Sequence, residues 1–393
     1  MGRRAGPRRR AGEQSRKLAI NRLRERRPVE PAVIDRFLAR HEVPIVEGAR
    51  CTFLFRGAAD QVHLVHQIFG LPGRIPLRQV AGTDLWYLVL ELPDRSRVEY
   101  QLEVSRGGRS ERINDPLNPH LAHSPLGSSS VCFAHGYEVP EWTRPDPDSR
   151  PGSLTEFTVP SRALRRDAKV TLYLPARFRR SRRYPVLIVH DGGDYLNFAS
   201  MKTVLDNLIH RLDVAETIVA LTHPVQRLLE YANHEPHERF VVEELLPWLD
   251  REFPTIAEPH GRGVMGASFG AVASLATAVR FPDTFGRLLL QSGSFAFTDI
   301  GMNPRGPVFE PVVEFVNEFR RTPRRVAERV FVSCGTYESL IYENRSLVPF
   351  LQAAGMEVRY VEARDGHNWE NWRDRMREGL SWLFPGPSRM VYE

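Results

Sequence analysis

The sequence predicts an α/β protein, a mostly parallel sheet with helices on both faces, preceded by an all-β sandwich domain. Three observations carry this. From about residue 170 onward, short continuous apolar runs alternate with amphipathic helical patterns, as in a parallel sheet covered on both faces. Between residues 51 and 133, short segments rich in β-branched and aromatic residues are broken by Gly, Pro and Asp clusters, as in a sandwich. Gly266-Ala-Ser-Phe-Gly270 then joins an apolar run to a helix-forming stretch of small residues, the order of a nucleophile elbow.

Taken in order, residues 1–30 hold eleven Arg or Lys and three Glu, a basic tail expected to be disordered. Apolar residues at helical spacing from Pro31 to His41 predict a short helix. The sandwich is expected over 31–140, with strands at Cys51–Arg56, Gln61–His66, Leu85–Leu92, Arg97–Val104 and Ser130–Phe133. A proline-rich linker follows at 141–154. The domain at 155–393 has candidate strands at 170–175, 184–190, 217–222, 263–265, 287–291, 330–334 and 358–362. Helical patterns lie near 201–212, 238–252, 269–280, 308–320, 343–354 and 369–384.

The net charge of +6 belongs to the tail, whose local excess is +8, so the remaining chain carries −2 and nucleic acid is not an expected partner. Cys51, Cys132 and Cys334 are too few, too scattered and odd in number for a disulfide framework or a metal site. With no apolar secretory core and no membrane-spanning stretch, the expectation is a cytoplasmic protein that uses neither membrane nor cofactor.

Ligands in open α/β sheets bind beyond the carboxyl ends of the strands, so chemistry is sought just after each strand. A serine hydroxyl is a weak nucleophile until a base takes its proton, and Ser268 therefore needs a histidine oriented by an acid. His367 follows the last predicted strand and is the one histidine of thirteen beyond the elbow. The loop after Val330–Cys334 offers Glu338 as the acid, with Glu343 next in line and Asp365 too near His367 in sequence. An oxyanion needs preorganised donors, and the candidates are the N–H groups of Phe269 and of Gly193 in His190-Asp-Gly-Gly-Asp194.

With these pieces assembled, the chain resembles the enterochelin (enterobactin) esterase family over nearly its whole length after the tail. The patterns that carry the resemblance begin with Pro44-Ile-Val-Glu, Thr52-Phe-Leu-Phe-Arg-Gly and Asp115-Pro-Leu-Asn-Pro. They continue through His190-Asp-Gly-Gly-Asp-Tyr-Leu, Arg227-Leu-Leu-Glu-Tyr, Glu244-Leu-Leu-Pro, the elbow, and Asp365-Gly-His-Asn-Trp-Glu-Asn-Trp-Arg. The resemblance implies an α/β-hydrolase fold behind the sandwich, with Ser268 and His367 matching nucleophile and base. It also implies cleavage of ferric catecholate siderophore esters in the cytoplasm. The acid is the departure, because the loop carrying Glu338 varies across such esterases.

The expected partner is a small-molecule ester, and a ferric siderophore is anionic and aromatic. Arginine suits such a ligand by charge and stacking, so Arg227, Arg345 and Arg373 are substrate-binding candidates against the alternative of surface ion pairs. Trp369 and Trp372 lie at i, i+3 on one helical face, facing either pocket or core. Trp86 and Tyr100 could stack on a ligand or pack in the sandwich. Two rivals stand beside this reading, a feruloyl or acetyl esterase acting on carbohydrate esters and a homologue that binds without turnover.

Overall fold

The computed structural model describes residues 18–26, 28–297 and 306–387. The described residues divide into two compact units, one within residues 18–66, 72–121 and 129–137, the other within residues 67–71, 122–128 and 138–387.

The first unit is built on antiparallel sheets. One has the strand order Ile45–Glu47, Arg50–Arg56, Leu85–Glu91, Arg78–Gln79; the other centres on Gln61–His66, Arg97–Arg106 and Gly127–Phe133. Alternation along Arg97–Arg106 buries Val98, Tyr100, Leu102 and Val104, and Phe53 of the first sheet meets Tyr100 of the second edge to face at 4.9 Å. Tyr100 and Trp86 are both buried. The Tyr100 hydroxyl donates to Asp115 Oδ2 at 2.7 Å, and Trp86 Nε1 donates to the Gly57 carbonyl at 3.2 Å. Asp115 belongs to a buried network with Asn118 and Ser130, which explains the Asp-Pro-Leu-Asn-Pro pattern as structure. Burial pushes the Asp115 carboxyl up to about 6, against the opposing hydrogen bonds of Tyr100 and the Leu117 N–H.

Residues 1–17 of the expected tail lie outside the described residues. The part beyond them departs from expectation: Ala19–Arg24 is a helix whose Ile20 and Leu23 join a core with Ile34, Leu54 and Leu85. Apolar residues spaced three apart give these two turns a buried stripe in spite of the flanking arginines. The predicted helix at Pro31 runs to Leu38.

The second unit holds an eight-stranded mixed sheet: β1 (Ser153–Ser161), β2 (Arg166–Leu174), β3 (Val186–Val189), β4 (Ile218–Thr222), β5 (Arg262–Ala267), β6 (Arg287–Gln291), β7 (Arg329–Gly335) and β8 (Glu357–Ala363). Their spatial order is β1-β2-β4-β3-β5-β6-β7-β8. The β1–β2 and β2–β4 pairs are antiparallel, and the rest are parallel. Successive residues of the central strands serve opposite faces. Ile188, Ala220, Val264, Leu288 and Val332 pack with Phe269–Arg280, Glu310–Arg321 and Ile341–Ala353. Leu187, Val219, Met265, Leu289 and Phe331 pack with Met201–His210 and Trp369–Leu383.

The proline-rich stretch at 141–154, expected as a linker, makes hydrogen bonds to the second unit. The Asn207 amide donates to the carbonyls of Trp142 and Arg144, both at 2.8 Å, and Asp206 Oδ1 accepts the Gly152 N–H at 2.7 Å. Between the short helical turn Glu141–Thr143 and the start of β1 at Ser153, side chains of Met201–His210 satisfy part of its backbone. Among the described residues no helix is long and apolar enough to cross a membrane, no group of three His, Cys, Asp or Glu side chains converges as a metal site, and the three cysteines are free and buried.

Candidate active site

The register of the parallel strands places the sequence-predicted residues along one edge. Val189 of β3 pairs with Met265 of β5, Ala267 of β5 with Gln291 of β6, Gln291 with Ser333 of β7, and Gly335 of β7 with Ala363 of β8. The loops carrying Gly193, Ser268, Glu338 and His367 all leave from these carboxyl ends.

Ser268 sits between β5 and the helix Phe269–Arg280 with φ 57° and ψ −121°, a conformation L-residues rarely adopt. Gly266 is what permits it: a Cβ there would fall 2.4 Å from the carbonyl carbon of Gly270. At Gly270 a Cβ would stand 3.3 Å from His190 Cβ, a tight but lesser conflict. The serine is thereby held proud of the strand at a helix N-terminus. Its Oγ lies 3.1 Å from Ser294 Oγ and makes no hydrogen bond to His367 in this structure.

The His367 and Glu338 side chains meet. His367 Nδ1 lies 2.7 Å from Glu338 Oε2, and the carboxylate is 1% exposed while the imidazole is 35% exposed. The other carboxylate oxygen accepts from Ser292 Oγ at 2.7 Å, the Gly335 N–H at 2.7 Å and the Asn371 amide at 3.3 Å. A buried carboxylate with this many donors is an acceptor at every position, so His367 presents an N–H at Nδ1 and a lone pair at Nε2. Gly335 lets the two loops approach, since a Cβ there would meet the Asp365 carbonyl at 2.3 Å. The Thr336 N–H donates to Ala363 at 2.7 Å and the Tyr337 N–H to Asp365 at 3.1 Å, closing the pair of loops. Asp365 serves its own turn, accepting from the Gly366 N–H and the Asn368 amide. Glu343 is buried on Ile341–Ala353, and it is Glu338 that reaches the imidazole.

The Asp191 turn is equally constrained. Asp191 has φ 55°, and a Cβ on Gly192 would lie 2.3 Å from Leu221 Cβ. Gly192–Phe198 then forms a helix. Gly193 and Phe269 occupy the second and first positions of their helices, where a backbone N–H has no intrahelical acceptor.

The other predicted contacts are distributed differently. Arg227 makes a two-point ion pair with Asp191, at 2.8 and 2.7 Å, and its Nη2 lies 3.5 Å from the Ala267 carbonyl, next to Ser268. The desolvation of this partly buried guanidinium is outweighed by Asp191, which keeps it charged. Arg345 pairs with Glu362 at 2.6 and 2.7 Å, and Arg373 with Asp374 at 2.9 Å, so both have structural partners of their own. Trp369 and Trp372 are buried: Trp369 packs edge-on against Tyr195 and Trp372 edge-on against the His367 ring.

Sequence reasoning passed over the loop after β6. Gln291 accepts the Tyr195 hydroxyl at 2.7 Å, donates to the Trp372 carbonyl at 2.8 Å, and its own carbonyl receives the Ser268 N–H at 2.9 Å. Ser292 Oγ receives Trp372 Nε1 at 2.9 Å while bonding Glu338. The available signal was positional, because Ser292-Gly-Ser294 follows a strand at the same edge as the elbow.

Comparison with known proteins places this arrangement in context. Residues 161–383 match the family described as "Putative esterase". The iron(III) enterobactin esterase of Dickeya dadantii is 27% identical over 413 aligned residues, covering 89% of this chain and 92% of that protein. An uncharacterised Bacillus subtilis protein is 30% identical over 149 residues, 36% of this chain, and the chain spans 62% of its length. Among solved structures, the ferric enterobactin esterase of Salmonella typhimurium superposes with a TM-score of 0.71 at 20% identity, covering 85% of this chain and 93% of that one. Matched by the family model over more than half its length, with the candidate residues of the elbow and both later loops inside the match, the chain belongs to this esterase family.

Proposed function

We propose that this protein is a serine carboxylic-ester hydrolase of the α/β-hydrolase fold that cleaves the ester bonds of catecholate siderophores in their ferric form, in the cytoplasm. The observation that carries the serine mechanism is the strained Ser268 on the same sheet edge as a buried Glu338 bonded to His367 at 2.7 Å. Glu338 holds the Nδ1–H tautomer, leaving His367 Nε2 to take the Ser268 proton as Oγ attacks the ester carbonyl. The N–H groups of Phe269 and Gly193 receive the oxyanion. His367 then protonates the leaving alcohol, and a water activated by the same imidazole hydrolyses the acyl-serine. The iron belongs to the substrate and takes no part in this sequence.

The choice of substrate rests on the breadth of the likeness. The Dickeya relative aligns with 89% of this chain, so the similarity runs through the N-terminal sheets as well as the hydrolase unit. Of the predicted cations, Arg227 lies nearest Ser268, but its charge is met by Asp191, so the choice of substrate rests on the likeness alone.

The test is a panel of p-nitrophenyl butyrate, ferric and iron-free cyclic catecholate triesters, and feruloyl sugars, run with wild type and Ser268→Ala. Wild type is expected to hydrolyse the catecholate triester and Ser268→Ala to hydrolyse nothing above background. Full activity in Ser268→Ala refutes the mechanism, and turnover confined to feruloyl sugars refutes the substrate.

A further inference from the structure

We propose that Ser294 is a second catalytic hydroxyl, donating a hydrogen bond to Ser268 Oγ while His367 withdraws the nucleophile's proton from the other side. This rests on the serine-esterase reading above.

Ser294 is 3% exposed, and its Oγ lies 3.1 Å from Ser268 Oγ, the one hydrogen bond its hydroxyl makes among the described residues. A buried hydroxyl without a partner is costly, so this contact is the reason a serine is tolerated there. Its direction follows from the rest of the chain of bonds. Glu338 can only accept, so His367 Nδ1 donates and Nε2 must accept. When Nε2 accepts from Ser268, the Ser268 oxygen has lone pairs to offer and no proton, and Ser294 becomes the donor. During acylation the Ser268 proton passes to His367 Nε2 as the bond from Oγ to the carbonyl carbon forms, and the carbonyl electron pair moves to the oxyanion. Ser294 keeps its proton throughout and orients the Ser268 hydroxyl, occupying one lone pair so that the Ser268 proton is directed at His367 Nε2 and the other lone pair at the carbonyl carbon.

The turn that bears Ser294 is built to hold this hydroxyl still. The Ser294 N–H donates to the Ser268 carbonyl at 3.2 Å, and the Ser292 N–H to Ser333 at 2.7 Å. Asn344 clamps Gly293 twice, accepting its N–H at 3.1 Å and donating to its carbonyl at 2.9 Å. Ser292 has φ 46°, and a Cβ on Gly293 would strike the Phe295 ring at 2.0 Å, so the turn admits little else at these positions. Its first serine touches the acid and its last touches the nucleophile.

The experiment measures acylation directly, as the rate of labelling by a fluorophosphonate probe and the burst of p-nitrophenol from p-nitrophenyl butyrate, for wild type, Ser294→Ala and Ser294→Cys. Both variants are expected to acylate about tenfold more slowly, the rate equivalent of one lost hydrogen bond, with KM within about twofold. Thermal melting identifies the properly folded variants, and Ser294→Cys, which fills the site and loses the strong donor, decides the matter should Ser294→Ala not fold. A folded variant that acylates at the wild-type rate overturns the proposal alone. A wild type that is not labelled, or Ser268→Ala labelled equally well, overturns the esterase reading and this inference with it.

Discussion

Glu338→Gln isolates the role proposed for Glu338 because the structure dictates how the new amide must lie. Three donors converge on Oε1, from Ser292, Gly335 and Asn371, so the glutamine oxygen takes that place. Its NH2 then faces His367 Nδ1, where the carboxylate had accepted at 2.7 Å. Two donors cannot share that contact, and the imidazole responds by accepting at Nδ1 and carrying its proton on Nε2. In that tautomer it cannot receive a proton from Ser268. The same inversion in serine hydrolases costs about 10⁴ in kcat, equivalent to about 5 kcal/mol of barrier. The fold changes little, because the donors on Oε1 keep an acceptor and only a charge-assisted bond is lost, worth about 2 kcal/mol. The assay is steady-state hydrolysis of p-nitrophenyl butyrate, with KM expected to hold, alongside a thermal melt. Activity of Glu338→Gln within tenfold of wild type, or an equal loss from Glu343→Gln, would refute the assignment.

Other outcomes follow from the same geometry. Gly266→Ala would drive a Cβ to 2.4 Å from backbone, costing about 3 kcal/mol or more and abolishing activity, whereas Gly270→Ala should be distinctly milder; melting temperatures and ester hydrolysis of the two variants check the order. In the first unit, burial raises the Asp115 carboxyl from 3.8 to about 6, so the native state binds the extra proton. The resulting stability is present below pH about 4 and is lost as pH rises through about 6, a change of about 3 kcal/mol. Denaturant melts across that range should show the slope in wild type and a flatter profile in Asp115→Asn; an identical slope in both would contradict it.

Much of the architecture was legible because local patterns and tertiary demands agree. The continuous apolar runs of β3 to β7 could only be strands buried on both faces, and the small residues after Ser268 only a helix pressed against them. Ser268 and His367 were readable for the same reason, each being tied to a strand end. The helix at Ala19–Arg24 was obscured by its arginines, whose charge masks a stripe of only a few apolar residues. Gly192 is required because Leu221 leaves no room for a side chain, a Cβ on Gly193 would come to 3.1 Å from the His223 ring, and the segment continues as a helix, none of which the two glycines by themselves signal.

By itself the sequence singled out Ser268 and His367 as candidate nucleophile and base, since an elbow and a lone downstream histidine are local features that need no neighbour to be recognised. It also determined that a β-rich region precedes an alternating α/β one, because period and composition change together. Only the tertiary structure decided which carboxylate meets the histidine, and it did so by stacking the loops of β7 and β8 so closely that Gly335 has no room for a Cβ. It likewise paired Arg227 with Asp191, sent Trp369 and Trp372 into the core, and brought Ser292 and Ser294 to the two ends of the site. Those contacts join residues tens of positions apart, and strand register, which no short stretch of sequence encodes, sets them.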